Sequence, residues 1–169
     1  MNRLIRVFAL FLLATWLPAL AQVNPCSLLT QSEIESALGV KLAGFGSGGQ
    51  AGVTSICQGV VRNRMSVMVM FASGQNANDK KWADPLGELE RQSRESANSI
   101  KAQMEVKRFG SSILCTTLVP PKPGPYSTQC MVVKKPTGMA SVSVLVPAQQ
   151  DMVSIDKLRP LAEKMGGRL

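Results

Sequence analysis

From Met65 to Ala72 an extended chain has no side to turn to water. Met65, Val67, Val69 and Phe71 fall on one face, and Met68 and Met70 on the other. A strand with two apolar faces belongs in the middle of a sheet, covered on both sides. Val53 to Arg62 predicts a second strand, with Asn63 and Arg64 as a tight turn between the two, and such short connections give antiparallel pairing. Further along, Met104 and Val106 alternate with polar neighbours until Gly110 closes the strand. Residues 111–118 and 126–134 form a hairpin around the run Val119 to Pro125. Pro136, Thr137 and Gly138 then turn the chain into Met139 to Val146.

Helices punctuate these strands. Residues 22–25 make a short lead-in, after which Thr30 and Glu33 form a capping box. Ile34, Ala37 and Leu38 supply an apolar stripe, and Gly39 is a natural stop. Val40 to Leu42 reads as the start of a strand. Residues 43–52 hold Gly44, Gly46, Gly48, Gly49 and Gly52 and are expected to be a mobile, exposed loop. After a polar linker over 73–83, Asp84 and Pro85 are the N-cap and first residue of a helix reaching about Ile100, with Glu90 and Arg94 as a favourable pair. A last helix from Ser154 to Met165 buries Ile155, Leu158, Leu161 and Met165. Pro160 is expected to kink it or delay its start, and Gly166-Gly167 to end it. The order predicts an α+β fold: a single antiparallel sheet with helices packed against it, in one domain over residues 22–169.

The first 21 residues read as a cleavable signal peptide. Arg3 and Arg6 precede an apolar run from Val7 to Leu17, and Pro18, Ala19, Leu20 and Ala21 give the small-residue cleavage pattern. The run falls short of the roughly 20 residues that cross a bilayer, so no stable membrane span is expected after cleavage. The expected address is periplasmic or secreted. Of 19 Lys and Arg against 11 Asp and Glu, loss of Arg3 and Arg6 leaves 17 against 11, a net charge of +6. The basic residues are scattered, which fits solubility, and nucleic acid is not an expected partner.

In an oxidising compartment the four cysteines, Cys26, Cys57, Cys115 and Cys130, read as two disulfides. Four cysteines allow three pairings and spacing does not choose among them. The strand assignment favours Cys26–Cys57 and Cys115–Cys130, the latter facing each other across the hairpin. Zinc is not expected, because the chain lacks both histidine and any C-x-x-C pair.

The absence of histidine also removes the Ser-His-Asp and Cys-His nucleophile systems. Glu88, Glu90, Glu95, Asp156 and Glu163 fall on helices, where a solvated face accounts for them. Gly44 to Gly49 matches a G-x-G-x-x-G string, but a helix precedes it and a strand follows, the reverse of a dinucleotide site. Met65, Met68 and Met70 invite a copper site, yet a strand points Met68 away from Met65, and core packing explains the cluster. No cofactor, metal or catalytic residue is expected. The proline-rich loop is the candidate partner-binding element: Pro120, Pro121, Lys122, Pro123, Gly124, Pro125 and the adjoining Tyr126. Trp82 is a further aromatic candidate for a binding surface.

The opening Asn24, Pro25, Cys26, Ser27, Leu28, Leu29, Thr30, followed by Glu33-Ile34 and Ala37-Leu38-Gly39, resembles that of small exported bacterial proteins. Many of these are lipoproteins, in a domain-of-unknown-function group related to extracellular sensor-like domains. The resemblance implies that Cys26 pairs with a cysteine on the first core strand, here Cys57. This chain departs from the group in lacking a lipobox and in carrying Cys115 and Cys130. The group has no established catalytic residues, so the resemblance brings none.

Together these features lead to the expectation of a non-enzymatic exported binding module, for a small apolar ligand, a lipid or an envelope protein. A small ligand calls for a large apolar pocket between sheet and helix. The alternative is an inhibitor or immunity protein that plugs an envelope hydrolase with the loop 119–125.

Overall fold

The segment with two apolar faces is the third strand of one seven-stranded antiparallel sheet. The computed structural model describes residues 23–51, 54–62, 64–73, 83–122 and 124–169. The signal-peptide segment, Trp82, Pro123 and nearly all of the 73–83 linker lie outside these residues.

In chain order the elements are α1 (Pro25–Leu28), α2 (Gln31–Leu38), β1 (Phe45–Ala51), β2 (Thr54–Val61), β3 (Met65–Ser73), α3 (Pro85–Ser99), β4 (Gln103–Phe109), β5 (Ile113–Val119), β6 (Tyr126–Lys134), β7 (Gly138–Val146) and α4 (Ile155–Arg168). The strands lie in the order β1-β2-β3-β7-β6-β5-β4. This is the expected α+β fold, with both disulfides formed as the strand assignment favours, Cys26–Cys57 and Cys115–Cys130. Arg64 N–H donates to Val61 C=O at 3.1 Å, closing the turn between β2 and β3.

Local chemistry sets the helix ends. Thr30 Oγ1 accepts from Glu33 N–H, Glu33 Oε2 accepts from Thr30 N–H at 2.9 Å, and Gly39 closes α2 in the left-handed region at φ +68°. Asp84 Oδ1 accepts from Gly87 N–H at 3.0 Å at the start of α3. Four expectations need correction. The lead-in contains a helical turn, α1, capped by Asn24, whose Oδ1 accepts from Cys26 N–H at 2.9 Å. Val40 to Leu42 is irregular rather than a strand start.

The glycine-rich run is not a loop but the edge strand β1, bulged between Ser47 and Gly49. Pairing needs only backbone, and the approach is close: a Cβ on Gly59 of β2 would stand 2.7 Å from the Gly44 carbonyl oxygen. Finally, α4 runs unbroken past Pro160 and through Gly166-Gly167 to Arg168. Its stripe of Ile155, Leu158, Leu161, Ala162 and Met165 is buried on the sheet, and a Cβ on Gly166 would lie 3.1 Å from Val132 Cγ2. Gly166 allows a close approach there, and neither glycine ends the helix.

The two faces of the sheet differ. One is fully covered: Val67, Val69 and Phe71 of β3 and Ala140, Val142 and Val144 of β7 pack beneath α1, α2 and α4 with Leu28, Ile34, Leu158 and Met165. Each of these side chains larger than alanine contributes about 1.5–3 kcal/mol on burial. Thr128 is buried in this layer but satisfied, its Oγ1 donating to Val153 C=O at 2.6 Å. The other face carries α3, which sets Leu86 and Leu89 over Leu114, Met131, Val133 and Val106. Met68 and Met70 are therefore only half-buried. The strand is central, as its pattern requires, but its second face is less covered than both-sided burial implies.

Candidate functional site

An open concavity lies at one end of the sheet, where three distant segments meet. The β2–β3 turn brings Val60, Val61, Arg62, Arg64, Met65 and Ser66, the end of β7 brings Leu145 to Pro147, and the loop before β6 brings Gly124 and Pro125. Strand pairing makes this meeting unavoidable. Val60 stands opposite Ser66, Ser66 opposite Leu145, and Val146 opposite Tyr126. The result is an open groove of about 830 Å³.

Its surface is apolar. Val60 remains 49% exposed, one of two large hydrophobic side chains left so open among the described residues. Among its described lining residues Ser66 carries the one hydroxyl, and Arg62 and Arg64 the only charges. Both arginines are exposed, and neither forms an ion pair among the described residues. The cleft between α3 and the sheet, where a small ligand was expected, is smaller at about 330 Å³ and is lined by Leu89, Ala97, Met104, Thr116 and Leu118 among others.

The sequence-derived candidates divide. Gly124 and Pro125 line the groove. Tyr126, half-buried, begins β6 and packs on the main core. Pro121 and Lys122 are exposed and Pro120 half-buried, outside the groove lining. The loop hangs from β5 and β6, which Cys115–Cys130 joins at a Cα separation of 4.1 Å. Arg62, Arg64, Val60 and Leu145 escaped sequence reasoning. One signal was present: no acidic residue occurs between Ser36 and Asn78 or between Val106 and Gln150, the stretches that build this end of the sheet.

The carboxylates are held elsewhere. Glu33 accepts from Arg168 at 2.7 and 2.8 Å, and this pairing, with the Thr30 backbone N–H, holds its carboxyl far below the usual range. Hydrogen bonds from Gln31, then Lys41 and the Leu42 backbone, bring Glu35 down to about 2. Arg94 and Arg108 likewise lower Glu90. These groups stay ionised as structural anchors, which does not suit a proton donor near neutral pH. Among the described residues, no three His, Cys, Asp or Glu side chains are placed to hold a metal ion. No helix among them is long and apolar enough to cross a membrane. The chain matches no protein-family model, and no curated protein is found to be similar to it.

Proposed function

We propose that this chain is a non-enzymatic exported binding module, periplasmic or secreted, which holds its ligand in the groove between the β2–β3 turn and the end of β7. The observation that carries the reading is the groove: about 830 Å³ in volume with a mostly apolar lining that includes the exposed Val60. That volume lies within the range of small-molecule sites, roughly 300–1,000 Å³. The two disulfides fit an oxidising compartment, in line with the signal-peptide reading of residues 1–21. A chain without histidine, whose anchored carboxylates lie away from the groove, supports binding over catalysis.

Native mass spectrometry of the disulfide-intact protein from its own host tests this. A bound small molecule is expected in the native protein and absent in Val60→Asp, which alters an exposed side chain. Bare protein in both, or an adduct indifferent to the substitution, refutes the groove as the site.

The second reading, an inhibitor or immunity protein for an envelope hydrolase, draws on the exposure of Pro121, Lys122 and Pro125 on a loop whose strands are cross-linked. Replacing residues 120–125 with Gly-Ser must then abolish capture of the hydrolase. Capture that survives the replacement sinks it.

A further inference from the structure

We propose that the groove takes a single-chain anionic amphiphile, its acidic head between Arg62 and Arg64 and its alkyl chain over Val60, Leu145 and Pro125. This deepens the binding-module reading and rests on it. Three observations carry it.

First, the charge is one-sided. Among its described lining residues the groove holds two guanidinium groups and no carboxylate, and the surrounding stretches, 36–78 and 106–150, contain no acidic residue. The other arginines among the described residues are paired: Arg91 with Glu88 and Glu95, Arg94 and Arg108 with Glu90, Arg159 with Glu163, and Arg168 with Glu33. Arg62 and Arg64 have no carboxylate partner among the described residues, and two guanidinium forks suit a carboxylate or phosphate oxygen pair.

Second, the remaining lining is apolar, as an alkyl chain requires: Val60, Val61, Met65, Pro125, Leu145, Val146 and Pro147 against one serine hydroxyl.

Third, the groove offers a peptide backbone almost nothing. β3 is paired on both sides, with β2 and β7, and β7 with β3 and β6, so their ladders have no free edge there. The open edges of the sheet are β1 and β4, which do not line the groove. A peptide laid in it would bury N–H and C=O groups without partners, whereas an alkyl chain has none to satisfy.

Isothermal titration calorimetry on the disulfide-intact protein distinguishes the possibilities. The ligands are octanoate, decanoate and dodecanoate below micelle formation, dodecanol, acetate, and an apolar peptide rich in Asp and Glu. Dodecanoate is expected to bind about tenfold more tightly than dodecanol. Along the carboxylate series affinity should rise by up to about fourfold per methylene, and acetate alone should give no saturable heat. In R62A/R64A, with an unchanged urea midpoint, dodecanoate should weaken about tenfold while dodecanol is unaffected.

Equal affinity for dodecanol and dodecanoate, or a double variant that keeps the preference, overturns the anionic head but leaves the groove as an apolar site. Tighter binding of the acidic peptide overturns the amphiphile in favour of a peptide ligand. If no ligand in the set binds, the amphiphile is overturned. The module itself then stands or falls on the host-derived adduct and its loss in Val60→Asp.

Discussion

Arg168, next to the C-terminal residue of the chain, grips both carboxylate oxygens of Glu33, 135 positions earlier, at 2.7 and 2.8 Å. The same guanidinium donates to Leu28 C=O at 2.7 Å, so one side chain fastens the end of α4 to both N-terminal helices. Lys164 reaches the same carboxylate at 3.3 Å.

This clasp makes the protein acid-sensitive in a defined window. Glu33 and Glu35 both have folded-state values below the ordinary 4.5, Glu35 at about 2. A depressed carboxylate stabilises the fold above its unfolded value and loses that contribution as pH falls through the folded one. Urea midpoints should therefore hold from pH 7 to about 5 and fall between about 4.5 and 2. Glu33→Gln should be less stable at pH 7 and show a shallower fall below pH 4.5, because Glu33 no longer titrates, though not a flat one, since Glu35 and Glu90 still do. A variant as steep as the wild type would place the acid response elsewhere.

Removing each disulfide should cost different amounts. Cys26–Cys57 closes 31 positions and Cys115–Cys130 closes 15. Loop-closure entropy puts these at roughly 3.7 and roughly 3 kcal/mol. The gap should widen in practice, since Cys115 and Cys130 are already neighbours across β5 and β6, while Cys26–Cys57 alone ties α1 covalently to the sheet. Denaturant titration of C26A/C57A and C115A/C130A measures the order; the reverse order contradicts it.

The unequal cover of the two faces is also measurable. Leu158→Ala empties a fully buried site on α4 and should cost about 2–5 kcal/mol. Met70→Ala, on the half-buried face, should cost about 1 kcal/mol, as part of its side chain already meets water. Equal losses in urea melts would mean that the second face is as tightly packed as the first.

Gly59→Ala tests how β1 is held. A methyl group there would stand 2.7 Å from the Gly44 carbonyl oxygen and 3.2 Å from Phe45 Cδ2. The expected cost is about 1–3 kcal/mol. Amide exchange should accelerate in β1 before β7, and uniform acceleration across the sheet would contradict a local detachment.

Much of this architecture is legible in the sequence, and the exceptions share a cause. Met65 to Phe71 announces a central strand through apolar residues on both faces, and Thr30 with Glu33, or Asp84 before Pro85, announces a helix through side-chain oxygens. β1 is silent because glycines pair through backbone alone, leaving no side-chain period to read. The end of α4 misleads for a related reason: Gly166 is set by the proximity of Val132, a tertiary fact. The groove is the least legible feature. Val60, Leu145 and Val146 each look like core residues in their own strands, and only strand pairing shows that they meet beside Arg62 and Arg64. Of the proline-rich loop, Gly124 and Pro125 line the groove, while the exposed Pro121 and Lys122 stand apart from it.

The bulged glycine strand has a consequence for the protein's behaviour in a crowded solution. An open sheet invites copies of itself to join edge to edge, and a long, flat, apolar border strand is the usual route to fibres. At one border this chain presents a ribbon interrupted by a bulge and, at Gly49, a φ of +114° that a regular incoming strand cannot match. At the opposite border β4 displays exposed Glu105, Lys107 and Arg108, whose charges a docking strand would have to strip of water. The two margins thus resist self-association by unrelated means, one by irregular shape and the other by hydration.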